Sequence, residues 1–244
     1  MRACATLLIL LLADAAKAAE PLTIAVASNF ARSAAELAAR FEDETGIAVR
    51  LSNGSTGKLY AQIVNGAPFD LYLAADAERP EKLEASGLAV SGSRFTYARG
   101  QLTLWSAKFD DCHEALRAGG WIALANPETA PYGRAAREYL QAAGYWDDVN
   151  ERIAYGENVM QAMQFAATGN ADAGLVARSV LDGSHTPDAR CMWAVPGEFH
   201  EPIEQQAVLL ARAKDDARAL RLIEFLRSET ALTIIEGHGY EALQ

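Results

Sequence analysis

Along most of the chain, short apolar runs alternate with longer segments whose apolar residues recur every three or four positions. Residues 22–27 (Leu-Thr-Ile-Ala-Val-Ala) are the first run, a buried strand by its length and β-branching. Phe30, Ala34, Leu37, Ala38 and Phe41 then keep the period of a helix face, which stops at Thr45-Gly46. The same pairing recurs. A strand over 47–51 leads to a helix carrying Leu59, Tyr60 and Ile63, and a strand over 70–75 leads to a short helix over 79–86. Two extended runs, 95–97 and 101–105, precede a helix over 110–118. A strand over 121–125 meets a proline-rich turn and a helix from about Tyr132, with Ala135, Ala136, Tyr139 and Leu140 inward. Residues 153–158 lead into a helix starting near Val159 and carrying Met163 and Phe165. Strands over 173–177, 192–195 and 203–210 and two amphipathic helices, 216–227 and 228–236, complete the chain.

Strands and helices alternating in this way predict an α/β fold with mostly parallel sheets and helices on both faces. There is no internal repeat, no low-complexity segment and no linker long enough to separate two sequential domains. Two lobes joined by extended crossings at 99–104 and 203–210 fit the pattern.

Four of the strand-to-helix turns carry polar or small residues where the first N–H groups of a helix are unpaired. They are Ser28-Asn29, Ser55-Thr56-Gly57, Pro131-Tyr132-Gly133 and Asn158-Val159. Such a helix start favours an anion, because its N–H groups point outward and the dipole places partial positive charge there. One such turn is also what a capped surface helix needs, but two side by side on a parallel sheet make a crevice lined with donors. Gly54-Ser55-Thr56-Gly57-Lys58 is not a nucleotide-binding P-loop. Only two residues separate its glycines, Ser52 stands at the first glycine position, and Leu59 replaces the metal-binding hydroxyl.

Composition narrows the partners. The formal charge is −10 at pH 7, which disfavours nucleic acid and anionic membrane surfaces. An anion would have to be held by local dipoles and hydrogen bonds rather than by the global field. Met1-Arg2, the apolar stretch 5–13 and Ala16-Lys17-Ala18 form an export signal over residues 1–18, which predicts a periplasmic protein. No later stretch reaches the roughly 18 consecutive apolar residues of a membrane span. Cys4 would leave with the signal. Cys112 and Cys191 remain, as a disulfide or as two buried thiols.

No catalytic set assembles. His113, His185, His200 and His238 are not at ligand spacing to one another or to a cysteine. The hydroxyls of Ser28, Ser55 and Thr56 have no G-x-S-x-G elbow and no evident base. Asp70 and Asp76 flank a strand, where carboxylates commonly cap.

Several segments together resemble a known family. They are Ala27-Ser28-Asn29-Phe30, residues 53–63, Gly66-Ala67-Pro68-Phe69-Asp70, Asn126-Pro127 with Pro131-Tyr132-Gly133, Gly156-Glu157-Asn158-Val159 and Gly237-His238-Gly239-Tyr240. In family order and over nearly the whole exported chain, they resemble the periplasmic molybdate-binding proteins of ABC importers. The resemblance implies a two-lobed type II periplasmic-binding fold with a cleft between the lobes. Lobe I would hold residues 19–100 and 208–244, and lobe II residues 101–207. It also implies a monomer with no enzymatic activity, no cofactor and no metal bound directly by protein ligands. Molybdate or tungstate would be bound and delivered to a membrane permease. Carried over, the oxyanion-binding positions fall on Ser28, Asn29, Thr56, Tyr132 and Val159. Thr56 stands where many members have serine. A tyrosine that some members supply from a later strand corresponds to Ala177, so Tyr132 is expected to give the phenolic donor instead. A type II receptor for sulfate or phosphate, or an exported enzyme on the same fold, are the other readings of these residues.

Overall fold

The computed structural model describes residues 20–181 and 187–241. The expected export signal and His185 lie outside the described residues. The first half of the chain gives β1 (Leu22–Ala27), α1 (Ala31–Thr45), β2 (Val49–Gly54), α2 (Thr56–Val64), β3 (Leu71–Ala74), α3 (Glu78–Ala85), β4 (Phe95–Gly100) and β5 (Leu102–Ser106). There follow α4 (Cys112–Arg117), β6 (Ile122–Ala125), α5 (Pro131–Ala142), α6 (Trp146–Val149), β7 (Ile153–Gly156), α7 (Val159–Ala167), β8 (Ala173–Ala177) and β9 (Cys191–Ala194). The chain closes with β10 (Ile203–Leu209), α8 (Ala217–Leu226) and α9 (Glu229–Gly237).

The strands form two five-stranded sheets, β2-β1-β3-β10-β4 and β7-β6-β8-β5-β9. In the first, β1 pairs parallel with β2 and β3, and β10 runs antiparallel to β3 and β4. In the second, β6 pairs parallel with β7 and β8, and β5 runs antiparallel to β8 and β9. Each sheet therefore has four strands in one direction and one against them. The reversed strands, β5 and β10, are the ones laid down immediately after the chain crosses between lobes.

One expected boundary moves. Residues 203–207, assigned to the second lobe, pair with β3 and β4 in the first sheet. The return crossing lies ahead of β10, between β9 and Ile203. A strand reads the same from its own alternation whichever sheet receives it, so the sequence pattern does not decide this point. The short helix α6 was also not anticipated. Four residues carry too little periodicity to be read.

Each sheet is covered on both faces. Phe30, Leu37 and Phe41 on one side of the first sheet pack with α8 and α9 through Leu222, Phe225 and Ile235. Leu59, Ile63, Phe69 and Leu83 from α2, α3 and their approach cover the other side. The second lobe buries Leu102, Leu104, Leu124, Tyr139, Leu140, Met163 and Leu175. Ala27 and Ala75 of the first lobe join that second cluster, so the two lobes meet at the strand ends.

Cys112 at the start of α4 and Cys191 at the start of β9 form a disulfide with a Cα–Cα distance of 5.5 Å, across a sequence separation of 79. This settles the alternative that the sequence leaves open. Closing so long a loop restricts the unfolded chain more than the folded one. Cys112→Ser is expected to lower stability by roughly 2–4 kcal/mol in denaturant titration. An unchanged midpoint with and without reductant would show that the bridge contributes nothing.

Candidate functional site

The four polar turns all lie at the C-terminal ends of parallel strands. β1 and β2 are neighbours in the first sheet, and β6 and β7 are neighbours in the second. After β1 the chain makes a single 3-10 turn, Ser28–Phe30, before α1. After β2, Ser55 caps α2, its Oγ accepting from the Lys58 N–H at 3.4 Å. After β6, residues 126–130 fold back on Asn126, whose carbonyl accepts from Thr129 and Ala130, and Pro131 opens α5. After β7, Asn158 caps α7 through the Gln161 N–H at 3.1 Å.

These turns close on one small cavity of about 10 Å³. That is about the room of a single water-sized sphere and far below the roughly 300–1,000 Å³ of pockets for drug-sized ligands, so it suits one small ion. Its walls include Ser28, Asn29, Thr56, Tyr132 and Val159, so all five residues expected from the sequence meet in one place. Ala27, Ser55, Ala75, Ala130 and Pro131 complete the lining, and none of the ten carries a charge. Ala177, by contrast, is buried in the second lobe's core and does not line the cavity.

The backbone donors can be accounted for one helix at a time. In α2 the Gly57 N–H donates to Thr129 O at 2.8 Å and the Lys58 N–H is capped, leaving Thr56. In α5 Pro131 has no N–H and Gly133 donates to Ala130 O, leaving Tyr132. In α7 the N-terminal residue is Val159. Thr56, Tyr132 and Val159 thus have N–H groups with no partner inside their own helices, and all three border the cavity. Thr56 Oγ1 accepts from the Ala75 N–H at 3.2 Å, which leaves the hydroxyl proton to donate. Burial pushes the Tyr132 phenol well above the usual tyrosine range, with Tyr240 adding to the effect and the Gln205 hydrogen bond opposing it. It is therefore a protonated donor at any physiological pH.

The lobes touch around the cavity. Besides Gly57–Thr129, the Ser179 hydroxyl donates to Asn29 O at 3.1 Å, and Arg79 Nη2 donates to Glu128 O at 3.2 Å. Two exposed ion pairs cross the rim, Lys58–Glu157 at 2.6 Å and Arg134–Glu78 at 3.2 Å. A Cβ on Gly57 would stand 3.0 Å from the Thr129 backbone, so glycine is what lets the two backbones meet here. A larger, open groove beside the cavity carries Asp76, Glu78, Glu138, Glu201 and Glu204 with Arg134. Its field disfavours an anion.

Behind the cavity is a buried polar cluster that the sequence reading missed. Gln205 of β10 is fully buried. Its Oε1 accepts from Asn29 Nδ2 at 2.8 Å and lies 3.1 Å from the Tyr97 hydroxyl, and its Nε2 donates to the Tyr132 hydroxyl at 3.3 Å. Tyr240 donates to Asn29 O at 2.9 Å and accepts from Asn29 Nδ2 at 3.0 Å. Both amide protons of Asn29 are therefore committed within the protein. One signal was available in the sequence: Gln205 is in phase with the apolar Ile203 and Ala207, where a polar residue needs a reason.

The remaining sequence candidates have local partners. Asp70 accepts from the Thr23 N–H at 2.7 Å and pairs with Arg212 at 2.8 Å. Asp76 pairs with Arg79, although burial, the largest influence, raises its pKa. His113 stacks edge-on against Trp193, His200 Nδ1 lies 2.8 Å from Glu201 O, and His238 Nε2 lies 2.8 Å from Glu36. Among the described residues no group of three or more His, Cys, Asp or Glu side chains could hold a metal ion.

Comparison with known proteins places this geometry. A sequence model described as "Bacterial extracellular solute-binding protein" matches residues 22–241. The chain is 46% identical over 237 residues to the molybdate-binding protein ModA of Azotobacter vinelandii, covering 94% of this chain and 93% of the relative. It is 42% identical over 245 residues to ModA of Rhodobacter capsulatus, covering 98% and 96%. The solved periplasmic molybdate-binding protein of Azotobacter vinelandii superposes with a TM-score of 0.85 at 40% identity, over 91% of this chain and 100% of that one.

The packing behind the cavity makes one prediction. A Cβ on Gly100 would stand 2.0 Å from the Tyr132 hydroxyl and 2.8 Å from Gln205 Nε2. Gly100→Ala is expected to destabilise by about 1–3 kcal/mol in thermal unfolding, as overpacking does. Adding Tyr132→Phe should return part of the loss, and a loss that the second change leaves untouched would show that the crowding lies elsewhere.

Proposed function

The chain belongs to the bacterial extracellular solute-binding protein family, among the ModA-type molybdate-binding proteins, and from that membership we propose how it works. It is an extracytoplasmic receptor that captures molybdate or tungstate and delivers the oxyanion to the permease of an ABC importer. The observation that carries this reading is the small, uncharged cavity on which helix starts from both lobes converge with their backbone N–H groups. Ser28 and Thr56 supply hydroxyls. Asn29, Thr56, Tyr132 and Val159 supply backbone N–H groups, and the Tyr132 phenol is a further donor. Asn29 acts through its backbone, since Gln205 and Tyr240 hold its amide. No base and nucleophile face each other in the cavity, which fits a binding protein that releases its ligand unchanged. The receptor works in the periplasm as a monomer and needs no cofactor, because the ligand's charge is met by oriented dipoles.

Selectivity follows from size and from donor polarity. Sulfate has the same charge and shape but shorter bonds, so it cannot reach the donors of both lobes together. Each buried donor left unmet costs on the order of 1–3 kcal/mol. Hydrogen phosphate brings a proton of its own, which only a side-chain hydroxyl of the lining could accept, at the loss of a donor to the anion.

Calorimetric titration of the exported chain with molybdate, repeated in excess sulfate and phosphate, tests the reading. One-to-one binding that survives both competitors is expected. Binding of sulfate or phosphate with no response to molybdate would keep the fold and discard the ligand. Thr56→Ala and Tyr132→Phe each remove a hydrogen bond to a charged group, worth about 1.5–3 kcal/mol, so each should weaken affinity by roughly 10- to 100-fold. Unchanged affinity in Tyr132→Phe would restrict that residue to its backbone N–H.

A further inference from the structure

A glutamine at an inward position of a central strand is costly to bury unless its amide is satisfied in full. Gln205 sits where the pairing of β10 with β4 shifts register, between Gln205 and Gln206, and such bulges re-aim side chains. The hydrogen bonds around it have a definite direction. Tyr240 gives its proton to Asn29 O, so it can only accept from Asn29 Nδ2. Asn29 Nδ2 then donates to Gln205 Oε1, which turns Gln205 Nε2 towards Tyr132. The Tyr132 oxygen is thereby an acceptor on its Gln205 side, and its own proton is left for a partner elsewhere. The bare backbone of Gly100 makes room for this meeting.

We propose that Gln205 is a positioning residue for the anion. Its amide fixes the Tyr132 hydroxyl as a donor into the cavity and ties the Asn29 turn of one lobe to the Tyr132 turn of the other. The proposal rests on the reading of the cavity as an oxyanion site. Gln205 itself is not among the residues that line the cavity. Its effect on selectivity is indirect: with the polarity of the chain set, the phenol meets the anion as a donor, which favours an unprotonated anion.

The test compares two substitutions by titration with molybdate between pH 5.5 and 9, each as a ratio to the wild type at the same pH. Gln205→Met keeps the bulk and removes the amide. Gln205→Glu keeps one donor and one acceptor while protonated and becomes acceptor-only once ionised, when it would draw the Tyr132 proton away from the cavity. The titratable groups touching or facing position 205 are Tyr97 from β4, Tyr132 from α5 and Tyr240 beyond α9. Burial raises all three above the usual tyrosine range. The more distant charges of Asp76 and Glu241 are common to every protein compared.

Gln205→Met should bind at least tenfold more weakly at every pH. Gln205→Glu should stay within about threefold of wild type at the acid end and weaken progressively as pH rises. Gln205→Met within twofold of wild type, or Gln205→Glu as weak as Gln205→Met at every pH, would overturn the proposal. Failure of the wild type to bind molybdate would instead strike the underlying reading. Thermal melts of both variants identify any loss caused by unfolding.

Discussion

Taking an anion out of water without a countercharge is the constraint on which this structure turns. The idealised cost of moving one such ion into a protein-like medium is of order 20 kcal/mol, and a doubly charged ion faces more. No lysine or arginine lines the cavity. The compensation has to come from oriented dipoles, which means helix starts, and four must be aimed at one point. Parallel strands whose ends release helices side by side supply two such starts per lobe. The two reversed strands are what the chain needs in order to cross between lobes and return.

The parts of this arrangement that were legible in the sequence are the local ones. Ser55 and Asn158 cap helices three residues ahead, Pro131 fixes a helix start, and Ser28 ends a run of apolar residues, so each turn could be read from its neighbours. The five cavity residues followed from those turns together with the family resemblance. What could not be read depends on distance in sequence. Gln205 meets Asn29 across 176 residues and Tyr132 across 73, and nothing near Gln205 announces either partner. The sheet that receives β10 and the pairing of Cys112 with Cys191 are long-range facts of the same kind.

Charge plays opposite parts at two scales. The whole chain is acidic, and the groove next to the cavity concentrates carboxylates. An anion therefore approaches against the mean field and is held only where the local dipoles dominate it. None of the ten residues that line the cavity carries a charge, so none of them forms an ion pair across it.

The direct contact of the Gly57 and Thr129 backbones bears on the protein's resting balance. That bond, with the Ser179–Asn29 bond beside it, joins the lobes without any ligand atom between them. Part of the free energy that holds the lobes against each other is thus written into the main chain itself, independent of any side chain in the cavity. A methyl group at position 57 would press on the Thr129 backbone at 3.0 Å, so this junction between the lobes has almost no slack.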